Sequence, residues 1–408
     1  MEIIAEKIVF GGNSLGKIDG KNVFVPLAVP GERLEVEVEK SARDYDIARI
    51  TKIVEPSPHR VPAPCEYYGK CGGCNMMHIH PDFQRELRRS VLRDVFARHG
   101  IDIPGGIEII SGPDYGYRAR FQLTDGGLSC RSSNEIVPVR HCLCAEKPVN
   151  DFLAASYGTR GKGRTHVFGS VFMRDAGGHQ NVIISRAGDD KSAGTVRNPP
   201  STKGRKYKFK ENRRFSGTIF SPEHCAAVTL CKKDILFDVR GFFQSNLFVF
   251  EKTLEIIRSM LPGGANALDM YAGSGVISAF LAEKYGNVVM VEHNRDALVY
   301  AERNLAGLSH MSFGMSGEAW VRDCAASCPE FDICVIDPPR SGMEEAVRDY
   351  LCRSGIPLVL SLSCDPATHA RDCASLLRSG GYRLREILLL DFYPNTGHIE
   401  SLAVLEKA

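Results

Sequence analysis

From Arg33 to Glu39 every second residue is apolar: Leu34, Val36 and Val38 alternate with Arg33, Glu35, Glu37 and Glu39. That period of two predicts a strand with one wet face. Turn signals at Gly11-Gly12-Asn13, Asp19-Gly20 and Pro30-Gly31 divide the neighbouring sequence into further short strands. Residues 1–56 therefore read as a small β-barrel, closed off by a proline-rich joint running from Glu55-Pro56-Ser57-Pro58 to Pro62-Ala63-Pro64. Residues 57–216 follow no single period. Phe83–His99 has helical spacing and many arginines, Thr165–Phe172 and Asn181–Ser185 read as strands, and the rest is irregular and glycine-rich. From 217 to 408 the pattern changes. Short apolar runs at Ala267–Tyr271, Val288–Glu292, Ile333–Ile336, Leu358–Ser361 and Ile387–Leu390 alternate with helical segments at Val276–Lys284, Arg295–Ala306 and Ala367–Ser379. Alternation of this kind predicts an α/β unit with a doubly wound, mostly parallel sheet.

Composition fits a soluble globular protein: 43% of the 408 residues are hydrophobic and 25% charged. No apolar run approaches the roughly 20 residues of a membrane span. The opening MEIIAEKIVF has no basic region followed by an apolar core, so a cytoplasmic protein with no membrane partner is expected. A net charge of +2 gives little electrostatic reason to bind nucleic acid, but its distribution does. Val196–Phe215 holds eight Lys/Arg against one Glu, a local charge of +7. Such a run reads either as a solvated loop or, with Tyr207, Phe209 and Phe215 interleaved, as a segment facing phosphates.

Fourteen cysteines in a reducing compartment suggest metal or catalysis more than disulfides. Cys65, Cys71 and Cys74 fall within ten residues, with Gly72-Gly73 between the last two. Cys142 or Cys144 could complete four thiolates, a donor set that suits zinc or an iron–sulfur cluster. The spacing is less regular than the paired CxxC of a zinc ribbon, which favours the cluster.

A second chemical signal is Asp269-Met-Tyr271-Ala-Gly273-Ser-Gly275, a glycine turn between an apolar run and a helix. Backbone there can approach a ligand closely, and Glu292 at the end of the next run can accept ribose hydroxyls. The third signal lies at strand ends. Asp337-Pro-Pro-Arg340 follows Ile333–Ile336, and Cys364 stands beside a helix start favoured by Pro366. A helix N-terminus stabilises thiolate, making Cys364 the best nucleophile candidate. His398 and Glu400 close a turn-rich loop that begins at Phe392.

These residues resemble the S-adenosylmethionine-dependent RNA 5-methyluridine methyltransferases along nearly the whole chain. The most specific signatures are Phe242-Phe-Gln244-Ser-Asn246, Asp337–Arg340, Ser363–Asp372 and Phe392–Glu400. Gly16–Gly20, Phe24–Pro26 and Pro30–Glu32 are similar to the RNA-binding TRAM barrel. The resemblance implies a TRAM/OB-like barrel at 1–56, a central iron–sulfur domain at 57–216 and a class I methyltransferase domain at 217–408. It implies a [4Fe–4S] cluster on Cys65, Cys71, Cys74 and Cys142, with Cys144 the alternative fourth ligand. Gln244, Tyr271, Glu292, Ser316 and Asp337 would contact S-adenosylmethionine, Cys364 would be the nucleophile and Glu400 the base. Ser316 is carried over on a weak alignment. Where the family often has Asn, Gln and Asn, this chain has Val276, Met77 and Asp365, and Val276 removes one potential cofactor hydrogen bond. The expected partner is RNA, ribosomal in preference to transfer RNA, and the expected state is a monomer. Cytosine-5 methylation is the nearest rival reaction, but Asp337–Arg340 lacks the second cysteine of that pattern. A non-catalytic, cluster-bearing RNA-binding protein is the rival of another class.

Overall fold

The structure is a computed structural model that describes residues 1–131, 133–159, 161–173, 182–186 and 222–408. The basic segment Val196–Phe215 lies outside the described residues. At the N-terminus, six strands lie in the order Glu2–Ile4, Arg33–Ser41, Tyr45–Glu55, Lys21–Val25, Ser14–Ile18, Lys7–Ile8. Neighbours run antiparallel except Lys21–Val25 beside Tyr45–Glu55. The alternation read from Leu34 to Val38 puts Leu34 and Val36 into a small apolar core with Ile3, Val23, Val25 and Ala48. The sheet curls until its ends meet: a Cβ on Gly16 would lie 2.6 Å from the Ile4 carbonyl oxygen, so only glycine fits.

Beyond the joint, strands Arg120–Thr124, Arg164–Gly169 and Val182–Arg186 form a three-stranded antiparallel sheet. Helix Lys147–Ser156 covers it through Val149 and Leu153. An antiparallel hairpin, Cys225–Leu230 with Lys233–Asp238, leads into the last unit.

That unit is an eight-stranded sheet in the order His310–Phe313, Tyr285–Val291, Gly264–Met270, Ile333–Ile336, Leu358–Ser363, Glu400–Lys407, Tyr382–Leu390, Glu108–Ile110. The first five strands are parallel, and Glu400–Lys407 runs against both of its neighbours. Continuous apolar runs suit strands buried on both faces, and each run splits between two cores. Ala267, Val288, Met290, Val335 and Leu360 pack on one face, with helices Leu247–Met260, Val276–Leu281 and Arg295–Asn304. Leu268, Val289, Val291, Ile336 and Val359 pack on the other, with helices Glu345–Ser354 and Pro366–Ser379. The doubly wound expectation is met.

Three local expectations need adjusting. The helix from Val276 stops at Leu281 rather than Lys284, because the chain enters the next strand at Tyr285. Strand Glu108–Ile110 joins the edge of the eight-stranded sheet beside Tyr382–Leu390. Helix Pro81–Arg98 lies on the second face of that sheet through Leu87, Val91, Leu92, Val95 and Phe96. A stretch assigned by sequence to the middle of the chain thus builds part of the C-terminal core. Among the described residues, no helix is long and apolar enough to cross a membrane.

Candidate active site

In doubly wound sheets, ligands bind beyond the carboxyl ends of the parallel strands. Strand Gly264–Met270 ends there in Tyr271, whose φ of 62° is left-handed, followed by Gly273 and Gly275 at 55° and 72°. Gly275 admits no side chain, since a Cβ would lie 2.8 Å from that of Ala301. Glu292 follows the next strand and locks the turn: its carboxylate accepts from Gly273 N at 2.9 Å and Asn294 N at 2.6 Å. Beneath it, burial pushes Asp269 up to about 7 while Ser278 Oγ donates to its carboxylate at 2.5 Å. Tyr271 OH reaches the backbone N of Glu344 at 3.2 Å. Ser316 caps helix Gly317–Asp323, accepting from Ala319 N at 3.2 Å.

Gln244 precedes helix Leu247–Met260 and is 7% exposed, yet its Oε1 has no hydrogen-bond partner among the described residues. A buried amide oxygen without a partner costs free energy unless a ligand supplies a donor. Asn246, two residues on, caps the helix and donates from Nδ2 to the Phe392 carbonyl at 3.1 Å. The Gln244 segment is thereby tied to the loop that ends on Glu400. Phe243 is buried and stacked on Phe237, whereas Phe242 is fully turned out, 71% exposed.

Asp337, Arg340, Cys364 and Glu400 are brought together. Ser363 pairs with Ser401 across neighbouring antiparallel strands, so Cys364 and Glu400 emerge at the same end of the sheet. Asp365 caps helix Pro366–Ser379 by accepting from Ala367 N and Thr368 N. The loop after Asp337 is pinned to that helix. Thr368 Oγ1 donates to the Arg340 carbonyl at 3.2 Å, and Met343 N donates to the Asp372 carboxylate at 2.7 Å. Gly342 has φ 78° and no room for a Cβ against Arg371 and Asp372.

The charges of Asp337 and Arg340 act on Cys364 and Glu400. Glu400 is pushed up to about 8 by burial first and Asp337 second, with Arg340 opposing. Cys364 is pushed up to about 11 by burial, then Glu400 and Asp337, again opposed by Arg340. Asp337 itself is raised to about 6 by burial. Carboxyl groups shifted toward neutrality beside a thiol are what an acid–base site requires. Sequence reasoning missed Arg118, whose charge acts on Tyr393 and His398. It sits in the middle of the chain with no motif around it, and only the fold brings it to the Phe392–Glu400 loop.

A second site lies beside the first. Cys65, Cys71, Cys74, Cys130, Cys142 and Cys144 line a cavity of about 320 Å³ together with Tyr68, Met77 and Tyr117. Cys74 Sγ and Cys144 Sγ stand 3.6 Å apart. Burial is the largest cause raising the Cys65 and Cys71 thiols, and Cys142 raises both further. Among the described residues, no group of three or more His, Cys, Asp or Glu side chains is arranged to hold a metal ion.

A family profile described as tRNA (Uracil-5-)-methyltransferase matches residues 321–408, and a methyltransferase small domain matches 251–352. An RNA methyltransferase of Treponema denticola, described as uncharacterized, is 31% identical over 98% of this chain and 98% of its own length. A 23S rRNA (uracil(1939)-C(5))-methyltransferase, RlmD, of Chromohalobacter salexigens is 30% identical over 95% of this chain and 85% of its own. The chain belongs to the RNA uracil-C5 methyltransferase family. Its fold matches that of the Pyrococcus abyssi tRNA (uracil-54, C5)-methyltransferase, solved with S-adenosyl-L-homocysteine. The TM-score is 0.70 with 23% identity, over 99% of this chain and 100% of that one. The methyltransferase thus has the class I fold.

Proposed function

We propose that the enzyme methylates C5 of a uridine in 23S ribosomal RNA, with Cys364 as nucleophile and Glu400 as base. The observation that carries this reading is the meeting of Cys364, Glu400, Asp337 and Arg340 at one end of the sheet, where Asp337 and Arg340 act in opposite senses on Cys364 and Glu400. Curated relatives named for uracil-1939 of 23S rRNA, spanning 95% to 99% of the chain, support the ribosomal substrate.

Uracil C5 is too electron-poor to attack a methyl group unaided. Addition of the Cys364 thiolate to C6 turns the ring into an enolate and makes C5 nucleophilic, splitting one hard step into two easier ones. Bound S-adenosylmethionine supplies an electrophilic methyl group and a positive sulfonium. After C5 is methylated, ionised Glu400 removes the C5 proton and the C6–sulfur electron pair returns to Cys364. Arg340 favours both ionised forms. Gln244, with its orphaned Oε1, and Glu292, beside the Gly273 turn, would hold the cofactor along with Tyr271, Ser316 and Asp337. The target base must leave its stack to reach this site, and exposed Phe242 offers a face beside it.

Cys65, Cys71, Cys74 and Cys142 would hold the [4Fe–4S] cluster. A set of thiols ringing a cavity suits a multi-atom cluster better than a single ion, which needs its ligands converged. The cluster would supply rigidity, since no step above needs an electron. The N-terminal barrel and the basic Val196–Phe215 would hold flanking RNA.

Nucleoside mapping of ribosomal and transfer RNA from a deletion strain tests the substrate. Loss of 5-methyluridine at one 23S position is expected. Loss confined to transfer RNA would move the assignment there, and binding of S-adenosylmethionine without methylation of any RNA would favour a non-catalytic protein.

A further inference from the structure

The segment Asp391–Ile399, which delivers Glu400, contains no helix or strand of its own. Its backbone is held from outside. The Asn395 carbonyl accepts from Asn75 N at 3.1 Å and Met76 N at 3.0 Å. Gly397 N donates to Asn75 Oδ1 at 2.9 Å, while Asn75 Nδ2 donates to the Gly11 carbonyl at 2.6 Å. Gly11 N in turn donates to the Gly397 carbonyl at 3.3 Å. Gly397 has no space for a side chain, because a Cβ would lie 2.3 Å from Gly12 N. Tyr117 OH donates to the Pro394 carbonyl at 2.9 Å. One residue, Asn75, therefore joins the N-terminal barrel to the loop before Glu400.

Asn75 directly follows Cys74, and Tyr117 lines the thiol cavity against Met77 and Cys144. The cysteine loop is thus hydrogen-bonded directly to Pro394–Gly397, three residues from Glu400. We propose that Asn75 and Tyr117 are positioning residues that seat the Glu400 loop on the cysteine loop, so that the thiol site sets the geometry of proton removal. The inference rests on Glu400 being the base. It gives the cysteine-bearing region a task in the reaction without any electron transfer.

Addition and methylation come before proton removal, so a displaced Glu400 slows only the last step. Asn75→Ala and Tyr117→Phe should lower kcat, on the order of tenfold for the first and a few-fold for the second. KM for S-adenosylmethionine should change less than about twofold, because no cofactor contact is lost. A methylated protein–RNA adduct should accumulate on denaturing gels. Asn75→Asp keeps the acceptor for Gly397 N but sets a carboxylate oxygen against the Gly11 carbonyl, so it should recover kcat only in part. Iron and sulfide content per chain is measured on every variant and should equal that of the wild type. Unchanged kcat without adduct, or losses proportional to lost iron, would overturn the inference. Glu400→Gln runs alongside: if it accumulates adduct while the other two do not, only the seating role fails. If Glu400→Gln accumulates none, the base assignment fails and takes the inference with it.

Discussion

Ser363 and Ser401 face each other across two antiparallel strands, one the residue before Cys364 and the other the residue after Glu400. Parallel strands present their last residues at the ligand-binding end of a doubly wound sheet. A strand inserted in the opposite direction must present its first. Glu400 opens the reversed strand Glu400–Lys407, which is why a residue near the end of the chain stands beside a cysteine that follows a parallel strand.

Arg340 opposes the burial and carboxylate effects that raise Glu400 to about 8 and Cys364 to about 11. Both proposed roles need the ionised form, so the rate should rise with pH through the range of Glu400. Arg340→Met removes the opposing charge and should move the acid limb of the pH–rate profile to higher pH, by about half a unit or more. Single-turnover release of methylated RNA from the adduct across pH measures this. A limb that stays in place would show that Arg340 does not tune the pair.

The same burial has a stability consequence. The Glu400 carboxyl titrates above its unfolded value, so its stabilisation is complete below the ordinary carboxylate range and is lost as pH rises through about 8. Glu400→Gln removes this dependence. Its Tm advantage over the wild type should grow by a few degrees between about pH 5 and about pH 9. A constant difference over that range would mean that Glu400 is not held in a neutral-favouring site.

Gln244 carries a buried oxygen with no hydrogen-bond partner among the described residues. If the cofactor supplies the donor, Gln244→Ala should weaken S-adenosylmethionine binding about tenfold in calorimetry, at little cost in Tm. Unaltered affinity would remove Gln244 from the cofactor site.

Arg88 is buried beneath the Glu400 loop, 2.9 Å from the Asp391 carboxylate and 3.0 Å from the Tyr393 carbonyl. Arg88→Met leaves Asp391 with Arg85 alone. Breaking a buried pair this way should cost about 3 kcal/mol in urea unfolding. A loss below about 1 kcal/mol would show that Arg85 suffices.

Much of this architecture was legible because local rules decided it. Leu34–Val38 alternates and forms a one-sided strand, and Ile333–Ile336 is continuously apolar and forms a strand buried on both faces. Asp337, Cys364 and Glu400 stood out because each follows or opens such a run. What could not be read depended on contacts distant in sequence. Glu108–Ile110 has too few residues to show a period, and only Tyr382–Leu390 makes it a strand. Phe83–His99 showed its helix but not which sheet its apolar side would cover. Asn75, Gln84 and Arg88 bond residues more than 300 positions away, and no sequence pattern records that.

The central claim is that Cys364 bonds covalently to the target base and Glu400 releases it. An RNA fragment whose target uridine carries fluorine at C5 offers no proton there to remove, so the adduct should persist. Mass spectrometry of the digested complex, formed with S-adenosylmethionine, reads the outcome directly. The account predicts a methylated fluorouridine on the peptide containing Cys364, and none with Cys364→Ala. An adduct on another cysteine, or turnover without any adduct, would contradict it.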